Sequence, residues 1–169
     1  WGATCYMNSL LQHLFNVHEF RRGILQAPLE QTDKGGSLMY QLQSLFGYLQ
    51  ESEKQFAETW EMCQVYTDYD GQPINTAVQM DADEFFNMLF EKLESCLKGT
   101  DQEHLLQECF GGKVVNQIIC KEEVKVGDKV YGLDNPFKSE REESFYTLSL
   151  EVKHKRSILE SLELFVEGE

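Results

Sequence analysis

The sequence predicts an α+β fold, and three observations carry that expectation. Apolar residues recur at three- and four-residue spacing up to about position 108, the period of amphipathic helices. After Gly111-Gly112 the pattern changes to β-branched and alternating runs, beginning with Val114, Val115, Ile118 and Ile119. There is no glycine-rich phosphate loop and no strand–helix alternation, so helices and strands are segregated along the chain, unlike a βαβ design.

Segment 4–16 reads as a helix with Met7, Leu10, Leu11, Leu14 and Phe15 on one stripe. Thr4 is its expected N-cap, which puts Cys5 in the first turn. A short helix over 18–26 ends before Pro28, and 29–36 reads as a loop around Asp33-Lys34-Gly35-Gly36. Ser37 should cap a helix to about Gln50, with Leu38, Leu42, Leu45, Phe46 and Leu49 inward. Another short helix is expected over 56–66, then a loop over 67–78. The clearest helix is 79–98, striped by Phe85, Met88, Leu89, Leu93 and Leu97 and closed by Gly99. A short helix over 101–108 precedes a strand over 112–121. Residues 121–142 read as a polar excursion, 144–153 as a half-buried strand, and Ser157 as the cap of a last helix carrying Ile158, Leu159, Leu162 and Phe165.

Composition bounds what such a chain can do. With 169 residues, 41% hydrophobic and 12% aromatic, it can build one cored domain. The 29 acidic residues against 15 basic ones give a net charge of −14, which disfavours a nucleic-acid partner and suits a basic one. No apolar run approaches the ~20 residues of a membrane span, and no secretory signal opens the chain. The five cysteines, Cys5, Cys63, Cys96, Cys109 and Cys120, are odd in number and form no CxxC pair, which points to an intracellular, reducing compartment, cytoplasmic or nuclear. Trp1 has no Met before it, and the motif it enters is already under way, so a segment of a longer polypeptide is expected.

Two clusters could carry chemistry. A thiolate at a helix N-terminus is stabilised by the unpaired amides and the positive end of the dipole, which would arm Cys5 as a nucleophile. The same amides could hold an oxyanion formed on attack. Alternatively, Cys5 is a small core residue in a capping turn. The second cluster is Gln79-Met80-Asp81-Ala82-Asp83-Glu84-Phe85. Its carboxylates either complement the helix dipole or pair with arginines of a bound peptide.

Together these segments resemble a known family. Gly2-Ala3-Thr4-Cys5-Tyr6-Met7-Asn8-Ser9, followed by Leu11-Gln12, resembles the cysteine box of the ubiquitin-specific proteases, papain-like deubiquitinating enzymes. Gln79-x-Asp81-x-x-Glu84-Phe85 resembles their second motif. Phe110-Gly111-Gly112 with the strand to Cys120, then Glu143-Ser144-Phe145 and Leu148-Ser149-Leu150, resemble the blocks that follow. The likeness spans essentially the whole chain and is greatest to the branch of very large members. It implies a papain-like fold, with residues 1–108 a helical thumb and 109–169 the start of the fingers and palm that grip ubiquitin. It implies that Cys5 is the nucleophile attacking the carbonyl of ubiquitin's C-terminal glycine. It further implies that Gln79, Asp81, Asp83 and Glu84 line the channel for the ubiquitin tail, the carboxylates facing its arginines.

Departures from the family pattern set further expectations. The family's oxyanion asparagine lies five residues before the nucleophile, one position before Trp1. Its general base is a His in a Gly-His-Tyr setting, supported by Asp or Asn, and none of His13, His18, His104 and His154 has those neighbours. The rest of the same catalytic domain is expected to supply both, leaving residues 1–169 inactive alone. Many members hold zinc in the fingers with two CxxC pairs; here Glu123 stands where Cys120 would need its partner, so no metal and no cofactor is expected. A non-catalytic ubiquitin-binding or scaffold domain of the same fold is the alternative reading. Another papain-like protease fits less well, because of the Gln79–Glu84 motif.

Overall fold

The computed structural model describes residues 2–29, 36–68, 70–119, 124–131 and 138–167. The chain divides into two compact units, Trp1–Cys109 and Phe110–Glu169. The first is helical: α1 (Cys5–Asn16), α2 (His18–Gln26), α3 (Leu38–Glu51), α4 (Trp60–Val65), α5 (Ala82–Leu97) and α6 (Leu105–Phe110). The second holds β1 (Gly112–Ile119), β2 (Val124–Val126), β3 (Lys129–Tyr131), β4 (Lys138–Phe145) and α7 (Ile158–Val166). The architecture is thus α+β with helices first. Most of the loop expected over 29–36 lies outside the described residues.

The first unit is organised by the stripes read from the sequence. Helix α1 packs against α2 and α5, and α3 packs against α2 and α4. Met7, Leu11 and Leu14 of α1 are buried with Phe20 and Ile24 of α2, Leu42 and Phe46 of α3, and Phe85, Met88, Leu89, Leu93 and Leu97 of α5. Burial of each such side chain stabilises the fold by roughly 1.5–3 kcal/mol relative to exposure. Polar groups lock the helix ends. Gln43 Nε2 donates to the carbonyls of Ile24 (2.7 Å) and Ala27 (2.8 Å), satisfying the end of α2 from α3. The Arg21 guanidinium lies 4.6 Å over the Phe15 ring and ties α2 to the end of α1.

Several boundaries differ from expectation. The helix expected over 56–66 is confined to α4, because 52–59 is irregular and leaves Phe56 68% exposed. Helix α5 starts at Ala82, since Asp81 stands outside it as the N-cap and accepts from the amides of Asp83 (2.8 Å) and Glu84 (3.3 Å). Gly99 follows its C-cap in the left-handed region (φ 75°), as expected of that position. The helix expected over 101–108 begins only at Leu105, after turns in which Thr100 Oγ1 donates to the Leu97 carbonyl at 2.7 Å.

The second unit departs most. The strand expected over 144–153 lies instead over 138–145, starting inside what reads as a polar excursion and overlapping the expected span only at Ser144 and Phe145. Antiparallel pairing with β1 runs from Gly112↔Phe145 to Ile119↔Lys138. Polar pairs hold this exposed ribbon: Gln117 donates to Glu140 at 2.7 Å, and Lys113 meets Glu142 at 3.2 Å. Phe145 covers Gly112, where any Cβ would collide with its ring. Beyond Phe145 the chain is broken by turns, with the Glu151 side chain accepting from the Lys153 amide and His154 at φ 63°. Residues 124–126 and 129–131 form a further antiparallel hairpin that the sequence reading missed. Ser157 caps α7 as expected, accepting from the Glu160 amide at 3.3 Å, but the apolar side with Ile158 and Leu159 is exposed.

Candidate active site

Cys5 is the first residue of α1 and its side chain is exposed. The core-residue alternative is therefore excluded for Cys5. That alternative holds for Cys63 of α4, which is buried against Met7 with its thiol pushed up by desolvation. Thr4 occupies the expected N-cap position, yet its side chain makes no capping bond. The amides of Cys5, Tyr6 and Met7 thus have no intrahelical partner and point out of the helix start.

A backbone clasp holds the segment before α1. The Ala3 amide donates to the Thr76 carbonyl at 2.7 Å. Gly2 sits at φ 72°, and a Cβ there would strike that same carbonyl, so only glycine permits the approach. The 67–78 loop presents Thr76 through its own side-chain turns. Asp68 Oδ1 accepts from the amides of Asp70 and Gln72, both at 2.9 Å, and Asn75 Oδ1 accepts from the Ala77 amide at 3.0 Å.

Aromatic packing brings the second cluster alongside. Tyr6 meets Phe85 edge-on at 5.3 Å, and Phe85 meets Tyr66 at 4.9 Å. The Tyr66 hydroxyl also donates to the Phe85 carbonyl, at 3.4 Å. The first turns of α1 and α5 are therefore neighbours. The Tyr6 hydroxyl is buried, and it is held protonated above its ordinary range by desolvation, then by Cys63 and Cys5.

Gln79, Asp81, Asp83 and Glu84 are all exposed at the start of α5. Their carboxylates differ in what they are free to do. Asp81 uses Oδ1 as the helix cap, and Asp83 Oδ2 accepts from Asn87 at 3.1 Å. Glu84's carboxylate has no hydrogen-bond or ion-pair partner among the described residues. The helix-start reading is met at Asp81, which caps α5, whereas the Glu84 carboxylate makes no capping bond among the described residues.

Beside the cysteine turn lies a groove of about 440 Å³, lined among others by Thr4, Asn8, Phe56, Trp60, Cys63 and Thr76. Sequence reasoning missed this wall. The exposed Phe56 and Trp60 read there as parts of a helix, and Thr76 is tied in by a backbone bond from Ala3 that no side-chain pattern reveals. The Cys5 thiol has no hydrogen-bond partner among the described residues. His13 is turned to its own helix, donating through Nδ1 to the Ser9 carbonyl at 2.7 Å. No group of three or more metal-ligating side chains occurs among the described residues, and Cys120 and Glu123 lie outside them. No helix is long and apolar enough to cross a membrane, again among the described residues.

The family model for ubiquitin carboxyl-terminal hydrolase matches residues 1–160. The chain is 36% identical to ubiquitin carboxyl-terminal hydrolase puf of Drosophila melanogaster, over 96% of this chain and 4% of that protein. It is 36% identical to ubiquitin C-terminal hydrolase 12 of Arabidopsis thaliana, over 99% of this chain and 14% of that one. With ubiquitin carboxyl-terminal hydrolase 24 of Mus musculus it shares 33% identity over 99% of this chain and 6% of the relative. The chain therefore spans a small part of each relative's length. On the ordered motifs, the match over 1–160 and these identities, the chain belongs to the ubiquitin carboxyl-terminal hydrolase family.

Proposed function

We propose that this chain is the N-terminal part of the catalytic domain of a cysteine-type deubiquitinase that hydrolyses peptide or isopeptide bonds at ubiquitin's C-terminal glycine. The observation that carries the reading is the juxtaposition of an exposed thiol at the start of α1 with the acid-bearing first turn of α5. Residues 1–108 act as the thumb and 109–169 begin the fingers and palm. The Cys5 thiolate attacks the glycine carbonyl, and the amides of the first turn of α1 stabilise the oxyanion. The tetrahedral centre collapses to a thioester as the leaving amine takes a proton from a histidine supplied by the rest of the domain. Water, deprotonated by the same histidine, then releases ubiquitin's carboxylate and regenerates the thiol. The odd number and wide scatter of the five cysteines, with no CxxC pair, support a cytoplasmic or nuclear setting.

The acidic cluster reads the basic tail of ubiquitin, and its test must separate capping from binding. In the full-length protein, Glu84→Gln should weaken ubiquitin binding about tenfold or more, since a charged hydrogen bond contributes ~1.5–3 kcal/mol, and leave the melting temperature in place. Asp81→Asn keeps an oxygen to cap α5 and should likewise weaken binding selectively. Asp81→Ala should lose binding and also ~1 kcal/mol of stability with the cap. Unchanged titration of ubiquitin by Glu84→Gln and Asp81→Asn would reduce these carboxylates to helix-start charges.

The fingers fold without zinc, because a single Cys120 with Glu123 beside it cannot complete a tetrahedral site. Metal analysis of the purified full-length protein should find well under one zinc per chain in this domain. Stoichiometric zinc released on Cys120→Ser would contradict this.

A further inference from the structure

Two threonines in the first unit occupy N-cap positions in the same unusual way. Thr4 before α1 has φ −103° and ψ 14°, and Thr59 before α4 has φ −108° and ψ 16°. Neither hydroxyl caps its own helix. At α3, α5 and α7 the N-cap residue is extended, and its side chain accepts from first-turn amides. Threonine is a favoured cap, so leaving two of them idle calls for a cause.

Both hydroxyls turn to one side chain. Asn8 Nδ2 donates to Thr4 Oγ1, and Thr59 Oγ1 donates to Asn8 Oδ1, each at 3.4 Å. These are long contacts, so their effect is orientation more than strength. Thr4 is buried, and its carbonyl accepts from the Asn8 amide at 3.0 Å. The hydroxyl of Thr4 is thereby drawn away from the amides of Tyr6 and Met7, where an N-cap oxygen would otherwise bond.

Resting on the deubiquitinase reading, we infer that Asn8, anchored by Thr59, is a positioning residue that keeps the first turn of α1 uncapped beside Cys5. It acts through Thr4 and touches no reacting atom. With Asn8 in place, the amides next to the thiol stay open to the developing oxyanion. Without it, Thr4 relaxes to an extended N-cap conformation, its hydroxyl occupies the amide of Tyr6 or Met7, and the turn beside the oxyanion closes.

The test is steady-state hydrolysis of a fluorogenic ubiquitin C-terminal amide by the full-length protein, with kcat and KM determined separately. Asn8→Ala should lower kcat at least tenfold, given that one lost oxyanion donor costs ~10²–10³-fold, while KM stays within twofold. Adding Thr4→Ala removes the hydroxyl that closes the turn, so the double variant should run at least fivefold faster than Asn8→Ala. A merely structural role would give no such recovery. If Asn8→Ala does not fold, Thr59→Val releases the same anchor from α4 and must produce the same selective loss of kcat. An Asn8→Ala protein within twofold of wild-type kcat, a rise in KM matching the loss, or a double variant no faster than the single one overturns the inference. Wild-type protein without turnover overturns the deubiquitinase reading itself, and this inference with it.

Discussion

Replacing Phe85 by alanine should destabilise the first unit by ~3–5 kcal/mol, the cost of truncating a buried phenylalanine. The ring is fully buried and meets two tyrosines, Tyr6 from the cysteine turn and Tyr66 from the end of α4. Its removal leaves a cavity where the first turns of α1 and α5 join, so the loss should extend beyond stability to the site. Urea denaturation checks this through a lowered midpoint at unchanged slope. A loss below about 1 kcal/mol would mean that the two turns are held mainly by other contacts, such as the Ala3–Thr76 clasp.

A polypeptide of residues 1–169 alone should show no turnover of a ubiquitin amide near neutral pH. General acid–base catalysis contributes ~10²–10⁴-fold, and the reaction also needs a proton for the leaving amine. His13 cannot serve, because it lies two turns along α1 and bonds to the Ser9 carbonyl. His154, in the left-handed region of an irregular segment, lacks the Gly-His-Tyr setting. On the reading proposed above, extending the polypeptide so that it gains a histidine in a Gly-His-Tyr setting and an oxyanion asparagine should restore hydrolysis. Turnover by the short polypeptide that disappears on His13→Ala or His154→Ala would place the base within these residues and contradict the reading.

Much of the helical unit was legible because its elements are set by apolar period and local caps. The α5 stripe is buried as its spacing demands, and Ser37 and Ser157 cap as their positions predict. Thr4 shows where local reading stops: the residue type and position suit a cap, but Asn8 and Thr59 divert its hydroxyl. The β4 strand was illegible for another reason. Lys138–Phe145 has almost no apolar alternation, and it pairs through Gln117–Glu140 and Lys113–Glu142, contacts with residues more than twenty positions away. At the site, Cys5 and the Gln79–Glu84 cluster stood out in the sequence. Their adjacency did not, since it depends on the Thr76 carbonyl, the space left by Gly2 and an aromatic contact across 79 positions from Tyr6 to Phe85.

The most direct test of the central claim is covalent trapping of the full-length protein with ubiquitin carrying a C-terminal electrophile, followed by peptide mapping. Attack by the helix-start thiol predicts one ubiquitin per chain, attached at Cys5, and complete loss of the adduct in Cys5→Ala. An adduct that persists in Cys5→Ala, at Cys96 or any other cysteine, or a wild-type protein that binds ubiquitin without forming one, would contradict it.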